Sequence, residues 1–187
     1  MMTNLMLSFG LILAAMCPSE GAPVVGSAQV RSPVERQTKK KVLTLILLRH
    51  AEKVDDSRDP ELSKTGRERA KQLGILMRDT AIQQIHSSDF KRTRDTVAPL
   101  AEKRNIEVVK YDPRKLQAFA ENLKTKSGVH LIVGHSNTTP ELVELLGGVP
   151  GDAIDEASEF DRLYILTVPE KGDVITLVLR YGEPCLR

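Results

Sequence analysis

The chain of 187 residues is poor in several residue types on which whole classes of protein depend. It has no tryptophan and only 4% aromatic residues, which disfavours the stacking platforms that bind nucleic-acid bases. It has two cysteines, Cys17 and Cys185, which argues against a cysteine-based metal site and against a stabilising disulfide. Its formal net charge is only +2, so the charge gives no indication of binding to nucleic acid or to a membrane surface.

Motifs for two further kinds of site are missing from the sequence. Neither G-x-G-x-x-G nor G-x-x-x-x-G-K-S/T occurs, so the chain lacks the common glycine-rich nucleotide loops. No H-x-H or H-x-x-x-H pair is present either. A zinc site built from His50, His135 and Asp112 is therefore disfavoured, and nearby arginines would repel the cation. We expect neither a metal nor a cofactor.

The N-terminal segment is predicted to be a targeting signal. Leu5–Met16 is apolar but shorter than the ~20 residues that a bilayer-spanning helix needs. Small residues and prolines follow it, as in a secretory signal peptide, although no lysine or arginine precedes Arg31. We predict a signal peptide over residues 1–22 and an exported, periplasmic or secreted protein; a buried N-terminal helix is the alternative. Residues 23–40, rich in Pro, Gly, Ser and charge, are predicted to be a linker or disordered arm.

Residues 41–187 alternate between strand and helix patterns and are predicted to form one domain. The predicted strands are Val42–Leu48, Ala81–His86, Ile106–Tyr111, Val129–Val133, Leu163–Val168 and Val174–Leu179. The predicted helices are one through Ala70 and Met77 that begins at a Thr65/Glu68 capping box, then Lys91–Lys103, Arg114–Lys124 and Pro140–Leu146. This alternation predicts an α/β fold, a three-layer α/β/α sandwich with a mostly parallel central sheet that ends in a hairpin.

Three predicted strands are each followed by a polar segment that contains an arginine, a histidine or both. They are Arg49-His50, the segment Ser88–Thr96 that contains Arg92, and Gly134-His135-Ser136. Because the carboxyl ends of parallel strands meet at one edge of a sheet, we expect these segments to converge. Arginine forks bind phosphate oxygens, and a neutral imidazole nitrogen can attack phosphorus. The set therefore predicts a phosphoryl site; within it, a helix cap is the simpler interpretation of Ser88.

Together the three segments resemble the histidine phosphatase superfamily, which has the phosphoglycerate-mutase-like fold. The residues that carry the resemblance are Leu48-Arg49-His50-Ala51-Glu52, Ser88-x-x-x-Arg92-x-x-x-Thr96 and Gly134-His135-Ser136. It covers about residues 42–181 and is most like the compact bacterial branch that includes phosphohistidine phosphatases. It implies a phosphohistidine intermediate on His50 and no metal. It also implies that Arg49, Arg92 and His135 bind the phosphate and stabilise the transferring phosphoryl group.

Charge and proton transfer set further expectations for these residues. Arg49 and Arg92 should keep His50 unprotonated, while a protonated His135 would act on the phosphate oxygens. For the proton donor to the leaving group, Asp112 is the first candidate, because larger family members have a glutamate in that region; its alternative role is a helix cap. Glu52 is the second candidate, and an ion pair with Lys53 or a nearby arginine is its alternative.

The function predicted from these residues is a metal-independent phosphatase that hydrolyses a phosphomonoester or phosphoramidate through a phosphohistidine on His50. The alternatives are a phosphotransferase of the phosphoglycerate-mutase type and a non-catalytic module that binds a phospho-ligand in the same pocket. The substrate is expected to be a small-molecule or protein phosphate, and the loops Val54–Pro60 and Gly147–Phe160 to select it. The sequence indicates no nucleic acid and no membrane span, and it leaves the oligomeric state open.

Overall fold

A computed structural model describes residues 42–185 of the chain. The predicted signal peptide over 1–22, the predicted linker over 23–40 and Cys17 lie outside the described residues. The strands are β1 (Leu43–Arg49), β2 (Ile82–Ser88), β3 (Val108–Tyr111), β4 (Gly128–Gly134), β5 (Arg162–Val168) and β6 (Ile175–Arg180). The helices are α1 (Lys64–Leu76), α2 (Lys91–Arg104), α3 (Leu116–Lys124) and α4 (Thr138–Leu145). None of the helices in the described part is long and apolar enough to cross a membrane.

The six strands form one sheet in the order β3-β2-β4-β1-β5-β6. The first four in this order run parallel to one another. β5 is antiparallel to β1, and β6 turns back along β5. The predicted mostly parallel sheet and the predicted terminal hairpin are therefore confirmed.

β1 lies inside the sheet, and its side chains alternate between two apolar layers. Leu45 and Leu47 belong to a cluster with residues of α3 and α4, whereas Ile46 and Leu48 belong to a cluster with residues of α1 and α2. Each fully buried Leu or Ile stabilises the fold by about 1.5–3 kcal/mol, so both faces of β1 hold helices in place. Helices on both faces of the sheet make the three-layer sandwich that the sequence predicts.

The start of α1 differs from the predicted one. The capping-box pattern predicts Thr65 as the N-cap, but Ser63 occupies that place, and its Oγ accepts the N–H of Gly66 at 3.0 Å. The prediction is wrong because α1 begins directly after Ser63, which leaves Thr65 inside the first turn. Glu68 does not reach back to the cap and instead accepts a hydrogen bond from Lys71 at 2.8 Å.

The start of α3 also differs from the sequence prediction. Pro113 and Arg114 were expected to begin this helix, but it begins at Leu116. The reason is a turn in which the backbone oxygen of Asp112 accepts the N–H of Lys115 at 3.0 Å.

The parallel register aligns the polar segments that the sequence singled out. Arg49 at the end of β1 pairs with Gly134 at the end of β4. On the other side of β4, Ser87 of β2 pairs with Val133. Ser88 in turn pairs with Tyr111 at the end of β3. The four strand ends therefore lie side by side, and the residues that follow them are placed at one edge of the sheet.

A buried pair of histidines joins β2 to β4. His130 Nε2 lies 3.1 Å from the backbone oxygen of Ser127, so this nitrogen donates and Nδ1 accepts. His86 Nε2 then donates to His130 Nδ1 at 3.3 Å, and His86 Nδ1 has no partner within residues 42–185. This arrangement requires the ring of His130 to be neutral, because its Nδ1 accepts a hydrogen bond. Burial, together with the nearby His130, lowers the pKa of His86 to about 4.

We predict opposite stability effects for two glycine substitutions in α1. A Cβ at Gly66 would overlap the backbone oxygen of Glu52, which cannot move as a side chain would. A Cβ at Gly74 would meet nothing nearer than the backbone of Leu100 at 3.9 Å. Gly66→Ala should lower the free energy of unfolding by about 1–3 kcal/mol. Gly74→Ala should raise it by up to about 1 kcal/mol in chemical denaturation, because alanine is the better helix former. Equal stability of Gly66→Ala and the wild type would contradict this packing.

The histidine pair should make stability depend on pH. Between about pH 6.5 and pH 4 the unfolded chain binds a proton at His86 that the folded state excludes. The contribution of His86 is therefore fully present above the unfolded value and is lost as the pH falls towards about 4. His86→Leu should lose less stability than the wild type when denaturation is compared at pH 7 and pH 5. Identical pH slopes would show that His86 is not the group that titrates.

Candidate active site

A cavity of about 430 Å³ lies at the carboxyl ends of the parallel strands. The titratable and charged side chains that line it are His50, Lys53, Arg92, Arg114, His135 and Glu156. Three of the sequence-predicted site residues, His50, Arg92 and His135, thus meet around one space. Arg49 and Asp112 do not line it.

The ring of His50 is held in the tautomer in which Nε2 is unprotonated. Its backbone N–H donates to Gly134 at 3.0 Å, and its Nδ1 lies 2.7 Å from the backbone oxygen of Ala51. A carbonyl only accepts, so Nδ1 carries the proton and Nε2 keeps its lone pair. Burial lowers the pKa of His50 to about 3, and the charges of Arg49 and Arg92 act in the same direction. The expected effect of the arginines is present, but loss of hydration is the larger cause.

His135 lies between an arginine and a serine. Its Nδ1 is 3.4 Å from Nη2 of Arg92, and because a guanidinium only donates, Nδ1 is the acceptor. Its Nε2–H then donates to Ser88 Oγ at 2.9 Å, and Ser88 Oγ donates to Thr93 Oγ1 at 3.1 Å. The contacts to Arg92 and Ser88 therefore fix the tautomer of His135. The predicted cap role of Ser88 is wrong, because Phe90 stands at the N-cap of α2 and makes no side-chain cap bond.

The charge state of His135 differs from the sequence expectation. Burial, and then the charges of Arg92 and Arg49, lower the pKa of His135 to about 4. The structure therefore favours a neutral ring at neutral pH, whereas a protonated ring was expected. The ring lies edge-on to His50, with ring centres 5.5 Å apart, so two neutral imidazoles face the same cavity.

Arg92 supplies the partly buried positive charge of the cavity. Its side chain is 15% exposed, and its guanidinium lies 4.5 Å above the ring of Phe90. The carboxylate of Asp59 is 3.9 Å away. Since α2 begins directly after β2, the first turn of α2 places Arg92 beside His135.

Arg49 is buried behind the cavity and binds a loop of the chain. It is 1% exposed, and Nη1 donates to the backbone oxygens of Asp155 at 3.0 Å and Glu159 at 2.9 Å. Nη2 donates to the backbone oxygen of Glu156 at 2.7 Å. Its guanidinium lies 4.1 Å from the ring centre of Phe160. Among the described residues the Nε–H has no acceptor, so it is the donor of Arg49 that is still available to an anion.

The two predicted proton donors, Asp112 and Glu52, are each bound by an arginine. Asp112 accepts from the backbone N–H of Arg114 and from its Nε, both at 3.0 Å, and this pairing lowers the pKa of Asp112. Glu52 is bound by Arg69 at 2.7–3.1 Å. Arg69 also donates to the backbone oxygen of Tyr181 at 2.7 Å. The ion-pair alternative for Glu52 is therefore confirmed, and neither carboxylate lines the cavity.

Sequence reasoning missed Glu156 as a residue of the site. Glu156 Oε2 accepts a hydrogen bond from Ser136 Oγ at 2.9 Å, and Oε1 lies 4.0 Å from Lys53 Nζ. Its loop was expected to select the substrate, but the loop holds several acidic residues and no periodicity marks one of them. Arg49 binds the backbone of this loop and Ser136 binds the Glu156 carboxyl, and neither contact can be read from the sequence pattern.

Comparison with known proteins gives matches in sequence and in fold. Residues 45–117, which include His50 and Arg92, match the model of the histidine phosphatase superfamily (branch 1). A stretch of 78 residues is 37% identical to phosphoserine phosphatase 1 of Hydrogenobacter thermophilus, and it covers 38% of this chain and 37% of that protein. The match thus spans well under half the length of this relative.

Solved structures share the fold over most of their length. The protein histidine phosphatase SixA complexed with tungstate is similar with a TM-score of 0.59 and 15% identity, over 73% of this chain and 96% of that chain. Mycobacterial glucosyl-3-phosphoglycerate phosphatase is similar with a TM-score of 0.56 and 16% identity, over 67% of this chain and 90% of that chain. The matched segment and the shared fold agree with the residues around the cavity, and together they support the resemblance of the chain to the histidine phosphatase superfamily.

Proposed function

We propose that this protein is a metal-independent phosphatase that hydrolyses a phosphomonoester or phosphoramidate through a phosphohistidine on His50. The observation that carries the proposal is the state of the His50 ring: Nδ1–H is bound to Ala51, and the pKa of His50 is about 3. The imidazole is therefore a neutral nucleophile over the whole physiological pH range. The likeness to SixA, which was solved with the oxyanion tungstate, supports an anion in this place.

In the first step His50 Nε2 would attack phosphorus. The N–P bond forms, the bond from phosphorus to the leaving group breaks, and its electron pair goes to the leaving atom. The guanidinium of Arg92 stabilises the charge on the equatorial oxygens of the loose transition state. In the second step water forms a new P–O bond, the N–P bond breaks, and the electron pair returns to Nε2.

The protonation state of His135 would change when a phosphate binds. In the structure its Nδ1 accepts from Arg92, and burial keeps the ring neutral. A phosphate dianion beside the ring opposes the arginines and favours proton uptake. His135 then becomes a donor to a non-bridging oxygen, while Arg92 turns its own N–H groups to the phosphate. This role reconciles the neutral ring of the structure with the protonated ring expected from the sequence.

Hydrolysis is favoured over transfer to a second substrate because the mouth of the cavity is open to water. The side chains of Arg114 and Glu156 at its wall are 87% and 69% exposed. Water therefore has direct access to a phosphohistidine. Export from the cytoplasm stays a prediction that rests on residues 1–22.

We expect His50→Ala to lower the turnover of 4-nitrophenyl phosphate by about 10³-fold or more, because the unprotonated nitrogen of the other neutral imidazole, His135, is occupied by Arg92. The wild type should keep its activity in EDTA, and a rapid quench should trap an acid-labile phosphate on the protein that His50→Ala lacks. His86→Gln is the matched control, since His86 is also buried but lies outside the cavity.

The result for the wild type separates the alternatives. Turnover by His50→Ala comparable to that of the wild type would rule out the phosphohistidine route. A wild-type protein that binds vanadate in the cavity but turns over neither a phosphate ester nor a phosphoramidate would be a phospho-ligand-binding module.

We expect Arg49→Lys to loosen the loop at 155–160. One ammonium cannot reach three carbonyls that a guanidinium binds with two nitrogens. Losing one or two bonds of about 1 kcal/mol each should raise amide exchange in this loop by about tenfold in a mass-spectrometric measurement. Arg92→Lys should leave the exchange of the loop unchanged. An unaltered loop in Arg49→Lys would contradict the anchoring role.

A further inference from the structure

Phosphoryl transfer to His50 leaves one proton unaccounted for. An alkoxide is a poor leaving group, and a carboxylic acid commonly supplies its proton. Asp112 is paired with Arg114, which lowers its pKa and stabilises the ionised form, and it lies outside the cavity. Glu52 is occupied by Arg69 and lies outside the cavity too. The proton must come from another group.

Glu156 is the only carboxylate among the described residues that line the cavity with His50 and His135. Its charge acts on the groups around it: it opposes the lowering of the pKa of His135, and it also acts on Arg92. The cavity lining and the hydrogen bond from Ser136, the residue after His135, place the carboxylate at the wall of the space that would hold a phosphate.

The carboxyl of Glu156 is oriented from two sides. Ser136, the residue after His135, donates to Oε2 at 2.9 Å, which ties the carboxyl to the segment that carries His135. Lys53 lies 4.0 Å from Oε1, at the end of the segment that carries His50. The backbone oxygen of Glu156 is bound by Arg49 at 2.7 Å. A buried arginine thus fixes the backbone, and a serine fixes the side chain.

We propose that Glu156 is the acid and base of the reaction, an inference that rests on the proposed function. In the first step the Glu156 carboxyl gives its proton to the leaving oxygen as the P–O bond breaks, so an alcohol, phosphohistidine and a carboxylate result. In the second step that carboxylate takes a proton from the attacking water. Inorganic phosphate leaves, His50 Nε2 regains its electron pair, and the carboxyl of Glu156 is restored.

The exposure of Glu156 suits both parts of this role. Its side chain is 69% exposed, so the carboxyl exchanges protons with solvent between turnovers. The same exposure lets solvent water reach the carboxylate for the second step.

The test is the dependence of rate on the leaving group in Glu156→Gln. The substrates are 4-nitrophenyl, phenyl and benzyl phosphate, which leave with increasing difficulty. The parameter is kcat/KM, because it covers the steps up to departure of the leaving group and is independent of the attack by water. We expect kcat/KM to fall by about 10²–10³-fold for benzyl phosphate and by less than about fivefold for 4-nitrophenyl phosphate.

The second step gives an independent readout. Without the base, attack by water slows, so Glu156→Gln should release a burst of 4-nitrophenol and accumulate phosphate on His50. Asp155→Asn, on the same loop but outside this cavity, is the matched control and should keep the leaving-group dependence of the wild type. Ser136→Ala keeps the carboxyl but loses its hydrogen bond, so it should show a smaller loss of the same kind.

Each outcome decides between the proposals. An equal loss of kcat/KM on all three substrates would mean that Glu156 only positions the loop, and no loss would exclude it from the reaction. Either result overturns this inference, whereas turnover that requires His50 would leave the proposed function intact. A wild type without turnover on any of the esters or on phosphoramidate overturns the proposed function and this inference with it.

Discussion

The hydrogen bonds of one buried guanidinium hold the candidate site together. Arg49 ends β1, directly before His50, and binds three backbone carbonyls of a loop more than a hundred residues further along the chain. A guanidinium so deeply buried needs acceptors, since a lone buried charge is very unfavourable. The three carbonyls supply acceptors for Nη1 and Nη2, whereas Nε–H has none among the described residues. The wall that carries Glu156 is thereby tied to the end of the strand that precedes His50.

Burial also determines the chemistry of the two histidines. In water both rings would be partly protonated near pH 6.5, and neither would be a dependable nucleophile or acceptor there. Inside the cavity, loss of hydration is the largest cause of the low pKa of His50 and His135, and the arginines add to it. Hydrogen bonds to Ala51 and Ser88 then decide which nitrogen carries the proton. The arginines that would bind a phosphate thus also help to keep the ring of His50, its proposed acceptor, neutral.

The sequence was sufficient for the features that depend on strand order and insufficient for those that depend on side-chain direction. His50, Arg92 and His135 could be placed around one cavity because each follows a parallel strand, and parallel strand ends must align. Arg49 lies at the same strand end, but the direction of its side chain is set by backbone carbonyls of the loop at 155–160. The residues next to Arg49 in the sequence give no sign of that contact. Asp112 pairs with Arg114 only because a turn delays the start of α3. Glu156 enters the site through its loop, for which the sequence gives no periodic signal.

The place of β1 in the sheet also bears on how the chain reaches this structure. β1 is the first strand of the described residues to be synthesised, yet its two neighbours are β4 and β5, which begin at Gly128 and Arg162. A nascent chain therefore carries a strand of nearly uninterrupted apolar residues with no partner until most of the domain has been synthesised. Such non-local pairing slows folding and exposes the intermediate to aggregation. Among the described strands, the apolar strand that precedes His50 thus waits longest for its partners during synthesis.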